Sequence, residues 1–398
     1  MTSDPEPFTV NVPSTFLDWV SKRIDSARII PDIHHSSGED WEDGTPTSEM
    51  ERVVTFWKTQ FDWRSVEQKL NETYKMYTID LEEAGEVMHL HFVHHHSERP
   101  GAIPLLFLHG WPGNFTEVEN MLGLVNPEDP KAQAFHVVAP SLPGFAFSSS
   151  PTKPGFSAAR MASLFHQLMN ALGYKHYIGQ GGDLGAFILR SMANQHPNSC
   201  VGIHLNFIMS PPPSPVKSPS TFLRLVLRWF TPSEKQRIER MQWWVDKQFG
   251  YAQIQGTKPQ TISYGLMDSP VGLLAWIRDK LFALVGPEFV WKDETIILWT
   301  MLYLIAGSAE NARIYKYSFD LGQQEIFDHI LPKEVAVGVS QFRWDTAYLP
   351  RWWAEASVAK TIVFWKEHEF GGHFAAVEQG EVLKQDLREF VAKIQFPE

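Results

Sequence analysis

The chain has 398 residues, of which 43% are apolar and 20% charged, enough to bury a large core in one or two domains. Thirty-five Lys plus Arg stand against 46 Asp plus Glu, a formal charge of −11, which excludes a phosphate-tracking surface, and hence nucleic-acid binding, as the main function. The single cysteine, Cys200, excludes an internal disulfide framework and any zinc site needing two thiolates, and fits a reducing, cytoplasmic compartment.

The opening residues MTSDPEPFTV lack the basic segment and apolar run of a secretory signal, so neither a leader nor a membrane anchor is expected. Up to about Leu70 the pattern is helical. Ser14 is placed to cap a helix with Phe16, Val20 and Ile24 on one face. Ser48 and Glu51 have capping-box spacing ahead of Val54, Trp57 and Phe61. These faces span too little chain for their own core and are expected to pack on the domain that follows.

From Tyr74 the pattern turns to strands, Met76 to Leu81, Glu86 to His94, Ile103 to Leu108 and His136 to Pro140, each bounded by Gly, Pro or polar turns. A helix over Ser157 to Leu172, a strand Tyr177 to Gly179, a helix from Leu184 toward His196 and a strand Ile203 to Phe207 follow. Such alternation predicts an α/β fold with a mostly parallel central sheet and helices on both faces. Five prolines from Pro211 to Pro219 break it. From about Ser220 to Phe327 the chain reads as a helical lid, with caps at Thr231-Pro232 and Ser269-Pro270. The apolar run Ile296 to Gly307 is too short to span a membrane and reads as a buried helix. Strands Val335 to Ser340 and Thr361 to Trp365 and a helix Gly380 to Ile394 return to the core. The organisation expected is a wrapping arm over 1–73, core over 74–210, lid over 211–330 and core again over 331–398.

Gly181-Gly182-Asp183-Leu184-Gly185 lies between a strand and a helix, where small residues permit a sharp turn that exposes one side chain at the sheet edge. That side chain is a carboxylate, which can open an electrophilic carbon and become an alkyl ester. His109-Gly110-Trp111-Pro112-Gly113 follows a strand where one oxyanion-hole N–H is expected, from Trp111, the other coming from Leu184. Phe370-Gly371-Gly372-His373-Phe374 follows the last strand and offers His373 as the base. Asp345, in Phe342-Arg343-Trp344-Asp345, is positioned to fix its tautomer. His368 and Glu367 are rivals that read as strand-end surface residues. His89, His91 and His95 alternate onto one strand face, but without a carboxylate or cysteine at ligand spacing they receive no metal role.

These motifs, in this order with a helical insert, resemble the epoxide hydrolases of the microsomal type within the α/β-hydrolase superfamily. The stretch Asp18 to Arg28, with Phe56-Trp57 and Phe61-Asp62-Trp63-Arg64, is similar to the arm that wraps their core. The resemblance implies two lid tyrosines on the epoxide oxygen, Tyr251 in Phe249 to Gln255 and Tyr315 in Arg313 to Lys316; Tyr317 is the nearest register alternative, and Tyr264 and Tyr303 read as packing. It implies hydrolysis of an epoxide to a vicinal diol through an ester on Asp183, with water activated by His373 and Asp345. Epoxide and water suffice, with no cofactor or metal. Two departures stand out: no N-terminal hydrophobic anchor of the kind carried by the membrane-bound members is expected, so the chain resembles the soluble members, and Leu184 replaces the Trp found after the nucleophile in many relatives.

The rivals are a haloalkane or haloacid dehalogenase with the same Asp-His-Asp set, a catalytically silent receptor for a small apolar ligand and, less simply, an esterase. Trp111, Trp243, Trp244, Trp276 and Phe374 are available to line an apolar pocket, and a homodimer contact through the lid is left open.

Overall fold

The computed structural model describes residues 4–33, 41–307, 309–317 and 330–397. The last part of the expected lid, 318–329, lies outside the described residues, as do the first three residues of the arm.

Nine strands form one sheet in the order β1-β2-β3-β5-β4-β6-β7-β8-β9. They are β1 Glu6–Pro7, β2 Met76–Glu83, β3 Glu86–His95, β4 Ile103–Leu108, β5 Phe135–Pro140, β6 Tyr177–Gly181, β7 Cys200–Leu205, β8 Ala336–Phe342 and β9 Ile362–His368. Pairing is antiparallel from β1 through β2 and β3 to β5, and parallel from β5 through β4, β6, β7 and β8 to β9. All residues of β4, β6 and β7 are buried, as expected for parallel strands covered on both faces. Cys200 sits at the start of β7, where burial pushes its thiol up to about 12 and keeps it unreactive.

The arm carries α1 Ser14–Asp25, α2 Thr47–Thr59 and α3 Trp63–Thr73. Its inward faces are the expected ones, with Val20, Ile24, Val54 and Trp57 buried. The caps are not: Pro13 and Pro46 precede α1 and α2, and neither helix has a side-chain cap. Arg64 on α3 donates instead to the Ser14 hydroxyl at 3.0 Å, a partner fifty residues away that no local pattern reveals.

The core helices are α4 Ala158–Ala171 and α5 Asp183–Gln195. The lid contributes α6 Pro219–Val226, α7 Pro232–Lys247, α8 Gly250–Thr257, α9 Pro259–Asp268, α10 Pro270–Ala283, α11 Asp293–Ala306 and α12 Glu310–Tyr317. Thr231 and Glu234 close a reciprocal capping box, and Ser269 accepts the Gly272 N–H at 3.0 Å. The core resumes with α13 Arg351–Ser357, α14 Ala375–Glu378 and α15 Gly380–Val391.

α11 is apolar all round and therefore needs partners on every side. Beside packing on the core, the arm clasps this lid. α1 packs on α10 and α2 on α11, and Arg278 pairs with Glu49 at 2.7 Å and Arg52 with Asp293 at 2.5 Å. Among the described residues no helix is long and apolar enough to cross a membrane.

Candidate active site

Asp183 opens α5 with φ +46, in the left-handed region that a non-glycine residue occupies only at a cost of about 1–3 kcal/mol. Two glycines make this turn possible. A Cβ on Gly185 would lie 2.4 Å from the Leu108 carbonyl oxygen, and one on Gly110 would lie 2.2 Å from Asp183 Oδ1. The carboxylate therefore stands at the N-terminus of α5, whose unpaired N–H groups favour negative charge. Leu184 is the next residue of that first turn.

The loop after β4 meets it from the other side, where the Trp111 N–H donates to Asp183 Oδ1 at 2.9 Å. His109 anchors this loop. Burial pushes its imidazole down to about 4, and the neutral ring fits both its contacts: Nδ1–H donating to the Gly110 carbonyl at 3.1 Å, and Nε2 accepting from the Leu142 N–H at 3.2 Å.

The loop after β9 brings His373 between two carboxylates. Its Nδ1 lies 2.8 Å from Asp345 Oδ1 and its Nε2 lies 3.5 Å from Asp183 Oδ2. Asp345 is 3% exposed and also accepts the Thr346 N–H at 2.6 Å. Burial disfavours the imidazolium, but the Asp345 charge and the bonds to Asp183 and Asp345 outweigh it and hold His373 well above its ordinary range. The rival His368 is elsewhere, at the end of β9 with Nε2 2.6 Å from Asp386. Glu367 faces the Tyr348 hydroxyl at 3.4 Å.

The lid brings Tyr251 on α8 and Tyr315 on α12 together, both buried, with hydroxyl oxygens 3.4 Å apart. The Tyr251 ring stacks on Trp111 with centroids 4.6 Å apart. Burial, with the Asp183 charge adding to it, pushes both phenols up, so they remain hydrogen donors at neutral pH. Tyr303 donates to the Gly113 carbonyl at 2.9 Å, and Tyr264 is 71% exposed. Of the aromatic candidates, Trp244 lies edge-on to Tyr251 and Phe374 edge-on to His373. Trp243 instead lies under Arg240, and Trp276 donates to Gln255.

Two acids escaped the sequence reading. Glu117 lies four residues beyond the His109–Gly113 loop, on a 3-10 segment, Phe115–Leu124, whose buried apolar residues Phe115, Val118, Met121 and Leu124 recur every three residues. Burial pushes its carboxyl up to about 8, the neighbouring Asp183 charge adds to this and His373 opposes it. It lines, with Asp183, His373, Gln180 and Asn206, a cavity of about 20 Å³, the room of one water molecule. Glu378 on α14 accepts the N–H groups of Phe374 at 3.0 Å and Gly286 at 2.8 Å. It thereby ties the His373 loop to the lid, and burial pushes it up to about 7. Its signal was the last letter of Gly371-Gly372-His373-Phe374-Ala375-Ala376-Val377-Glu378. The strand histidines have separate partners: His89 with Asp80, His91 with Ser141, and His95 with the Lys75 N–H.

A carboxylate elbow, an N–H loop after β4 and a histidine after the last strand, all at one edge of a mostly parallel sheet, define an α/β-hydrolase. Residues 103–261 match the family model described as alpha/beta hydrolase fold, and residues 5–118 match the one described as Epoxide hydrolase N terminus. The structure resembles that of Aspergillus niger epoxide hydrolase, with a TM-score of 0.84 and 32% identity over 99% of this chain and 97% of that one. It also resembles juvenile hormone epoxide hydrolase from the silkworm Bombyx mori, with a TM-score of 0.87 and 28% identity over 98% and 95%. Epoxide hydrolase 1 of Sus scrofa is 29% identical, covering 98% of this chain and 89% of its own length. The chain belongs to the epoxide hydrolase family.

Proposed function

We propose that the protein hydrolyses apolar epoxides to vicinal diols through a covalent ester on Asp183. The observation that carries this reading is the line of groups Asp345–His373–Asp183, with the Tyr251–Tyr315 hydroxyl pair within reach of the Asp183 charge. Because Oδ1 is held by the Trp111 N–H, Oδ2 is the attacking atom. It displaces the ring oxygen from one carbon, and that oxygen takes a proton from one of the two phenols.

Ester formation removes the negative charge facing His373 Nε2, so the imidazolium loses one of its two supports and its pKa falls. The imidazolium proton passes through water to the phenolate left by ring opening, which restores the tyrosine; the neutral ring then takes a proton from water, and the resulting hydroxide adds to Cγ of Asp183. The Trp111 and Leu184 N–H groups hold the tetrahedral oxyanion, a contact worth roughly 10²–10³ in rate per donor. Collapse breaks the bond from Cγ to Oδ2. The diol leaves with that oxygen and a proton from His373, and the acid proton left on the water-derived hydroxyl of Asp183 passes to His373, which restores the carboxylate and the imidazolium. Atoms and charge balance with epoxide and water alone.

The tyrosine pair sets this reading above a dehalogenase, which needs halide donors in its place. The test is product analysis on an aryl oxide, a fatty-acid epoxide and a terpenoid epoxide, alongside a chloroalkane. Diol from at least one epoxide, abolished by Asp183→Asn, with no chloride release, is expected. Chloride release without diol contradicts it.

A further inference from the structure

The segment between Pro211 and the capping box at Thr231 departs from the rest of the molecule in charge and in exposure. From Ser210 to Ser233 there is no Asp or Glu, while Lys217, Arg224 and Arg228 are present. Those 24 residues carry +3, and with −11 overall the remainder carries −14 (−11 minus +3). α6, at its centre, has no buried residue.

Leu223, Val226 and Leu227 repeat at the spacing of one helix face, and they are 52%, 58% and 46% exposed. Val216 before the helix and Trp229 after it extend the face, at 86% and 63%. Arg224 works inward: its guanidinium lies 4.4 Å from the Trp352 ring centroid on α13, and its Nε donates to the Trp229 carbonyl at 3.0 Å. The outward rim is left to Lys217 and Arg228, both exposed. Arg228, at φ +50, turns the chain so that Trp229 follows beyond the helix end.

We infer that this face docks the protein reversibly on an anionic lipid bilayer, α6 lying in the plane of the headgroups. Leucine and valine side chains enter the acyl boundary, Trp229 sits at the level that tryptophan favours, and Lys217 and Arg228 reach lipid phosphates and carboxylates. The charge distribution selects this occupant. The rest of the chain is net negative while this exposed apolar face is rimmed by Lys217 and Arg228, so attraction to an anionic surface and the anchoring side chains coincide in one patch. A second copy docked by two-fold symmetry would set Lys217 and Arg228 against their own equivalents. The patch lies on the lid that carries Tyr251, so apolar substrates dissolved in a bilayer would meet the enzyme on its lid side.

The test is sedimentation of the full chain with vesicles of phosphatidylcholine alone and of phosphatidylcholine with about 30% phosphatidylserine, at low and high salt. Expected is partition at least about tenfold stronger on the anionic vesicles at low salt. High salt, the pair Lys217→Glu with Arg228→Glu, and the pair Leu223→Ser with Trp229→Ser should each remove this preference. Epoxide turnover in vesicle-free buffer should stay within about twofold for both variants, which shows that they fold. Equal partition of wild type and variants, or of wild type on both vesicle types, overturns the inference. So does a concentration-dependent dimer lost in the Leu223/Trp229 variant without vesicle binding.

Discussion

His373 Nε2 faces Asp183 Oδ2 across 3.5 Å, while Nδ1 of the same ring is bonded to Asp345 at 2.8 Å. In the proposed reaction the nucleophile thus favours the charged form of the base that later helps to release it, and the first chemical step itself prepares the second.

The sign of the pH dependence follows. While Asp183 is ionised, His373 is held well above its ordinary range, chiefly against burial by Asp345 and Asp183. In the ester only Asp345 remains, burial counts for more, and the imidazole loses its proton at lower pH. Single-turnover ester hydrolysis should therefore rise with pH to a plateau, with its midpoint below the His373 ionisation seen by NMR in the free enzyme. His373→Gln should still form the ester but lose roughly 10²–10⁴ in its hydrolysis. A midpoint no lower than that of the free enzyme contradicts the coupling.

Burial favours the protonated form of Tyr251 and Tyr315, and the proposed route assigns them to ring opening. Tyr251→Phe or Tyr315→Phe should slow alkylation roughly 10²-fold, and the double variant more, with ester hydrolysis little changed. Tyr317→Phe should leave both steps as they are. Stopped-flow tryptophan fluorescence separates the two steps.

Glu117 is pushed up to about 8 by burial, which favours its neutral form at pH 7, so an amide is a fair replacement for it. Glu117→Gln should lower ester hydrolysis only a few-fold. Glu117→Leu, which removes the polar group from the water-sized cavity, should lower it about tenfold or more while sparing alkylation. Equal effects of the two variants in single-turnover assays would remove Glu117 from water handling.

Asp386 adds an acid-sensitive contribution to the stability of the C-terminal core. Burial opposes its charge, but hydrogen bonds from His368, Ser340 and Lys366 outweigh this and hold it down at about 2, against 3.8 unperturbed. The stabilisation is fully present above 3.8 and is lost as pH falls toward 2, about 2 kcal/mol in all. Denaturant unfolding of Asp386→Asn should show a deficit of about that size at pH 7, shrinking across this window.

The elbow, the Trp111 loop and the His373 loop were legible because each is written in consecutive residues whose small side chains have one use, a tight turn at a strand end. The strands were legible for a related reason, since Ile103–Leu108 and its neighbours are continuous apolar runs bounded by turn residues. What was not legible depends on distant partners. The two-residue β1 exists only through its pairing with β2, and α13 is seven residues long. The Ser14 hydroxyl is taken by Arg64. Glu117 is a buried acid on a short 3-10 segment, and His368 is held by Asp386, eighteen residues on in α15. That the arm clasps the lid as well as the core is a matter of which helix, α11, was left apolar on every side.

The most direct measurement is a single turnover in ¹⁸O-enriched water with enzyme in excess over an epoxide, followed by mass analysis of the Asp183 peptide and of the diol. Label is expected in Asp183 and none in the diol from that first turnover. Label in the diol with an unlabelled Asp183 would mean that water attacks the ring directly, and the covalent route would be wrong.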